Sequence, residues 1–139
     1  MSDKLNNKEL KSTYGLVILT GRERLLSYPE RKEPLNFDWQ DQNGVDYYLS
    51  KVFFKDSEVT LQCAIMANDN VDFWVKYNAF FKEVSKPNWQ QLFIDDHDMN
   101  YQVFYKSGNN FKHSLKRLKN VVKVFVKFDL TIQVKPNVL

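Results

Sequence analysis

A chain of 139 residues, 43% hydrophobic and 15% aromatic, holds material for one sizeable core and fits one domain better than two. Its charged fraction of 27% and net charge of +3 exclude a disordered chain, and they give no excess strong enough to mark a dedicated nucleic-acid binder. The single cysteine, Cys63, excludes an internal disulfide, and no run of about 18 apolar residues marks a membrane span.

Residues 1–12 are rich in Asn, Lys, Ser and Asp and read as a flexible N-terminal arm. They have no apolar stretch of the kind a signal peptide carries, and a reducing compartment is the simpler expectation. A single β-rich domain is expected over 13–139. Residues 14–19 are apolar and partly β-branched, which suits a first strand. Residues 22–26 resume that strand or bend away from it. Leu35, Phe37 and Trp39 then alternate with Asn36, Asp38 and Gln40. This is the period of a half-buried strand, and Asn43-Gly44 offers the tight turn after it. A further strand is expected over 45–49.

Residues 58–66 alternate cleanly, with Val59, Leu61, Cys63 and Ile65 on one face. Asn68, Asp69 and Asn70 break the pattern and supply oxygens that cap a helix. The one major helix is expected over about 70–85. Phe73, Tyr77, Phe80, Phe81 and Val84 fall on one stripe of it, and Lys86-Pro87 stops it. Residues 91–94 and 101–106 read as strands about an acidic turn at 95–98. Residues 107–110 read as a loop, and 112–119 as a basic loop or a frayed helical turn.

The clearest feature is 121–134. Val122, Val124, Val126, Phe128, Leu130, Ile132 and Val134 occupy every second position. Fourteen residues at roughly 3.3 Å each make a strand of about 46 Å, far longer than the ordinary 17–20 Å. One face belongs in a core. The other, with Lys123, Phe125, Lys127, Asp129, Thr131 and Gln133, meets water or a partner.

Chemistry-bearing constellations are few. Asp95, Asp96, His97 and Asp98 place three carboxylates and an imidazole together. The spaced oxygen ligands and the glycine of a calcium loop are absent, and a zinc site lacks linked ligands. Asp is common in turns for local hydrogen-bonding reasons, so a plain turn is expected and no metal. Cys63 lies between Leu61 and Ile65 on an apolar strand face and reads as a small buried hydrophobe, not a nucleophile. No phosphate-binding loop and no HExxH motif is present, so no catalytic residue and no cofactor is expected. Lys112, Lys116, Arg117, Lys119, Lys123 and Lys127 form a basic stretch without an acid from 112 to 127, interleaved with aromatics. A groove for single-stranded nucleic acid wants that combination. Lysines on a strand also discourage unwanted edge pairing, which is the plainer reading.

The order of elements resembles the tail-tube-type domain of long-tailed phages, and in particular the N-terminal ring-forming domain of siphophage distal tail proteins. The likeness is carried by Tyr28, Pro29, Glu30 and Arg31, by Asn43-Gly44, by the strand at 58–66 and the helix after it, by Leu92, Phe93, Ile94, Asp95 and Asp96, and by Tyr101, Gln102, Val103, Phe104 and Tyr105. It spans 14–135. The resemblance implies an α+β, mostly β fold: an antiparallel β-sandwich or barrel-like domain flanked by one major helix. It also implies a non-enzymatic subunit of a phage or prophage tail, assembled in the bacterial host cytoplasm. That subunit would form a homo-oligomeric, hexameric ring at the junction of tail tube and baseplate. Partners would be further copies and other tail proteins, with DNA passing transiently through the channel and no membrane contact. Distal tail proteins often carry a second, C-terminal domain, so a chain ending at Leu139 suggests a short version or a related tube, initiator or completion protein.

The expected subunit interface comprises Tyr28, Arg31, Trp74, Lys123, Phe125 and Lys127. Lys123 and Lys127 suit a subunit boundary, facing acids such as Asp38 or Asp46, better than a channel wall along which DNA slides. The alternative is a small nucleic-acid-binding module that contacts its ligand through Lys112, Lys116, Arg117 and Lys119.

Overall fold

The computed structural model describes residues 3–34, 36–37, 44, 46–47, 49–118 and 121–136. In chain order the strands and helices are β1 (Lys4–Leu5), β2 (Lys8–Glu9), α1 (Leu10–Tyr14), β3 (Leu16–Thr20), β4 (Asn36–Phe37), β5 (Asp46–Tyr47), β6 (Ser57–Ala67), α2 (Asn70–Val84), β7 (Gln90–Ile94), β8 (Met99–Leu118) and β9 (Val121–Val134). Short 3-10 turns cover Arg22–Leu26 and Asp95–His97. One seven-stranded antiparallel sheet runs in the order β2-β1-β7-β8-β9-β6-β3, and β4 pairs with β5. The fold is α+β and mostly β, as the sequence implies. No described helix is long and apolar enough to cross a membrane.

The sheet must curl, and the chain connectivity shows why. A flat sheet of seven strands would hold its outer strands about 29 Å apart. Yet β2 and β3 are those outer strands, and only α1 and Gly15 join them. A five-residue helix rises only about 7.5 Å, so the two edges are drawn towards each other and the sheet is barrel-like. Gly15 makes the join possible. Its φ is 61°, and a Cβ there would lie 2.5 Å from the Met66 carbonyl oxygen. The Gly15 carbonyl in turn accepts from the Met66 N–H at 2.8 Å, which starts the β3–β6 pairing.

The period-two pattern of the sequence becomes a cross-strand ladder of core residues. Val59, Leu61, Cys63, Ile65 and Ala67 of β6 stand opposite Ile132, Leu130, Phe128, Val126 and Val124 of β9. All ten are buried, and each large side chain so placed is worth roughly 1.5–3 kcal/mol of burial. On the other face Thr60 and Thr131 are opposite each other, with their hydroxyls 3.1 Å apart.

The helix begins where the sequence places its cap. The Asp69 carboxylate accepts from the Asp72 N–H at 2.7 Å, and the Asp72 carboxylate accepts from the Asn68 N–H at 3.0 Å. Phe73, Phe80 and Val84 are buried, and Tyr77 and Phe81 pack against the core. The aromatic side chains of α2 pack largely within the chain. Phe81 packs on Tyr105, and both Phe81 and Tyr77 approach Phe111, which stacks on Phe128 at 5.1 Å and 11°.

Three expectations change. Residues 1–12 do not read as a flexible arm in the structure: from Asp3 onward they form β1, β2 and the start of α1. Leu5 is 1% exposed, and Leu10 is buried beside it. Asn6 and Asn7, both at positive φ, make the two-residue turn of the β1–β2 hairpin. Asn6 also donates to Glu83 and Gln90, and accepts from the Gln91 N–H. Residues 107–110 are not a loop, and 112–119 are not a loop or helical turn as far as Leu118. Both belong to β8, which stays paired with β9 to Leu118. Irregularities after Tyr105 and after Asn109 take up the extra residues, and Asn110 has the positive φ this requires. Residues 22–26 take the second of their two expected courses and bend away from β3 as a 3-10 helix. Of the strand expected about Leu35, Phe37 and Trp39, only Asn36–Phe37 is described. Leu35, Trp39 and Asn43 lie outside the described residues.

Candidate functional site

Cys63 is fully buried, and its thiol donates weakly to the Leu61 carbonyl. Burial above all, with help from the charges of Asp129 and Asp3, pushes the thiol up to about 12. A thiol in that state supplies no thiolate at neutral pH.

At the acidic turn, the His97 Nδ1 and the Tyr101 hydroxyl are 2.9 Å apart, and Asp98 takes a left-handed backbone at φ 47°. Arg22 pairs with Asp96 at 3.1 Å and with Asp3 at 3.4 Å. The Asp3 carboxylate also accepts from the Asp95 N–H. These contacts tie the start of β1 to the β7–β8 turn. Among the described residues no group of three or more His, Cys, Asp or Glu side chains is placed to hold a metal ion.

What the chain does present is two β-ribbons and exposed apolar side chains. The first ribbon is built from residues 28–34 and 51–55. The Lys32 N–H donates to the Phe53 carbonyl and the Lys55 N–H to the Glu30 carbonyl, each at 2.7 Å, and Arg31 bridges to Phe54. The β4–β5 pair continues farther along the same hairpin. Tyr28 is 73% exposed and sets the edge of its ring against Phe54. Arg31 reaches the Lys51 carbonyl. Phe53, 63% exposed, and Leu49 and Val52 also face outward. Sequence reasoning assigned no role to these three. Their signal was available: Val52, Phe53 and Phe54 form an apolar run set between lysines, with no alternation that would bury it.

The second ribbon is β8 with β9. β6 ends at Ala67, opposite Val124, while β8 and β9 continue together to Leu118 and Val121. Lys112 and Lys127 are directly opposite each other and exposed. Phe125 is half-buried on the same face, with the Lys127 ammonium 5.8 Å from its ring centre. Lys116 and Lys123 are opposite each other in register. The side chains of Lys116, Arg117 and Lys123, and all of Lys119, lie outside the described residues. Trp74 is 56% exposed on α2, packed edge-on against Phe73 and Tyr77, and Val71 and Val75 flank it on the helix surface.

The expected interface residues therefore occupy three places. Tyr28 and Arg31 share the first ribbon, Lys123, Phe125 and Lys127 share β9, and Trp74 stands on the helix. The alternative nucleic-acid set of Lys112, Lys116 and Arg117 lies along the part of β8 that pairs with the start of β9.

No protein-family model matches the sequence, and no curated protein matches it. Among solved structures the chain is similar to SPP1 Dit, with a TM-score of 0.57 and 10% identity over 93% of its own length. The two share a fold. That crystal structure is described as a paradigm of the hub adsorption apparatus in phages that infect Gram-positive bacteria. The chain spans about half of its length, 49%. The resemblance to siphophage distal tail proteins read from the sequence thus extends to the SPP1 Dit backbone.

Proposed function

We propose that the chain is a non-enzymatic structural subunit of a phage or prophage tail, and that it assembles as a ring at the junction of tail tube and baseplate. The observation that carries this reading is the fold shared with SPP1 Dit over nearly the whole chain. The arrangement of the surface supports it. The first ribbon pairs apart from the seven-stranded sheet and leaves Tyr28, Val52 and Phe53 in solvent, with Leu49 exposed near it. Large apolar side chains left together in solvent mark a surface that another protein covers. A ring also needs two different surfaces on each subunit, because its contacts run head to tail. The ribbons and the exposed part of α2 offer them.

On this reading the partners are further copies of the chain, six in a hexameric ring, and neighbouring tail proteins. DNA passes through the ring without lasting contact, and the working location is the virion tail. Sedimentation velocity across a hundredfold concentration range tests the reading. A discrete species of several subunits that grows with concentration supports it, and a strict monomer at the highest concentration overturns it.

A further inference from the structure

Lys127 and Phe125 share one face of β9, opposite the buried face of Val124, Val126 and Phe128, and the exposed Lys112 joins them from β8. Lys112 stands against Lys127, and Lys116 against Lys123. Like charges directly opposite each other destabilise an antiparallel pair. The next residue on that face of β9 is Asp129, whose carboxylate already accepts from the Asn110 side chain at 2.8 Å. No acid stands between 112 and 127. A ribbon that merely needed to stay solvated would gain from alternating its charges.

The other end of β8 carries the opposite sign. Asp95, Asp96 and Asp98 immediately precede Met99, where β8 begins, and Asp3 joins them. Arg22 is shared between Asp3 and Asp96, and among the described residues Asp95 and Asp98 form no ion pair. Twenty residues of strand separate the two ends, which amounts to roughly 60 Å. A subunit with opposite charges at the two ends of one strand cannot neutralise itself, but it can join a second copy head to tail.

We propose that the lysine face of the β8–β9 ribbon docks on the acidic β7–β8 turn of a second copy of the chain. This deepens the ring reading and rests on it. The test uses sedimentation velocity on the full chain and two charge-reversed variants. One is Lys112→Glu with Lys127→Glu. The other is Asp95→Lys with Asp96→Lys, which leaves Asp98 and its left-handed backbone alone. Lys82→Glu, at an exposed position on α2, serves as the control, and circular dichroism confirms that each variant folds.

Each paired variant alone is expected to raise the concentration needed for assembly at least tenfold, and the control to leave it unchanged. Mixed in equal amounts, the two variants are expected to assemble again, because every ribbon then meets a turn of opposite charge. Assembly of the wild-type chain is expected to weaken as salt rises. If both variants assemble like the wild type, or if the mixture fails to restore assembly, the docking is wrong while the ring reading stands. A wild-type chain that never assembles overturns the ring reading and the docking with it. Fluorescence anisotropy with a labelled single-stranded oligonucleotide closes the remaining route. Tight binding that Lys112→Glu with Lys127→Glu abolishes, with assembly intact, would assign the face to nucleic acid and overturn the proposal.

Discussion

Leu5→Ala separates a mobile N-terminal arm from a built-in strand. Leu5 is 1% exposed and packs among Leu10, Leu16, Leu61 and Leu92 around a small apolar cavity of about 20 Å³. Truncation to Ala enlarges that cavity in a place where the β1–β2 hairpin and β7 hold the backbone, so little collapse is possible. Leucine-to-alanine changes in rigid cores cost about 3–5 kcal/mol, and the lower end suits a residue near a sheet edge. For a chain of this size about 3 kcal/mol lowers Tm by roughly 10 °C. Thermal unfolding followed by circular dichroism measures it, with the half-exposed Lys8→Ala as a reference that should move Tm by only about 1–2 °C. A Leu5→Ala shift as small as that of Lys8→Ala would refute the packing and restore the flexible arm.

Further outcomes follow from the same structure. Gly15→Ala should cost about 1–3 kcal/mol in urea unfolding, because it combines a positive φ with a close approach to the Met66 carbonyl. A loss under about 0.5 kcal/mol would show that the β2–β3 join is not held this way. Cys63 should resist thiol reagents at pH 8 until the chain unfolds, since its thiol is pushed up to about 12. Complete labelling of the native protein within seconds would contradict its burial. Hydrogen bonds from Lys86 and Asn6 hold the Glu83 carboxyl below the usual carboxylate range, with Lys8 adding a weaker attraction. A lowered pKa contributes stability above the unfolded value of about 4.5, and that stability is lost as pH falls through the folded value. Glu83→Gln should therefore be less stable at pH 7 and decline less between pH 5 and pH 3. Parallel pH curves for the two proteins would refute the linkage.

The elements legible in the sequence were those whose pattern and burial agree. β6 and β9 place an apolar residue at every second position because each buries that face, with Ala64 and Thr131 of the other face buried as well, and α2 carries both its cap and its apolar stripe. β8 was legible only in its first half. Ser107, Gly108, Asn109 and Asn110 carry turn chemistry, and here that chemistry serves bulges inside a strand rather than a loop between strands. Beyond them Leu115 and Leu118 are spaced by three, which hides the period-two pairing with β9. The N-terminal strands are two residues each, so no periodicity can announce them. Asn6 and Asn7 were the available signal, because asparagine tolerates the left-handed backbone that a two-residue hairpin turn demands.

The surface was legible in part. Tyr28, Trp74 and Lys127 are exposed, and Phe125 is half-buried beside Lys127. The pairing of Lys112 with Lys127 depends on the bulge register of β8, which no local pattern encodes. Phe53 was passed over because its neighbours alternate with neither a strand nor a helix period.

Electron microscopy of the purified full chain at high concentration tests ring assembly most directly. Class averages should show closed rings of uniform size with a central channel, and the native mass should be a whole multiple of the 16.6 kDa chain. Fields of single subunits, with a native mass equal to one chain at every concentration, would contradict it.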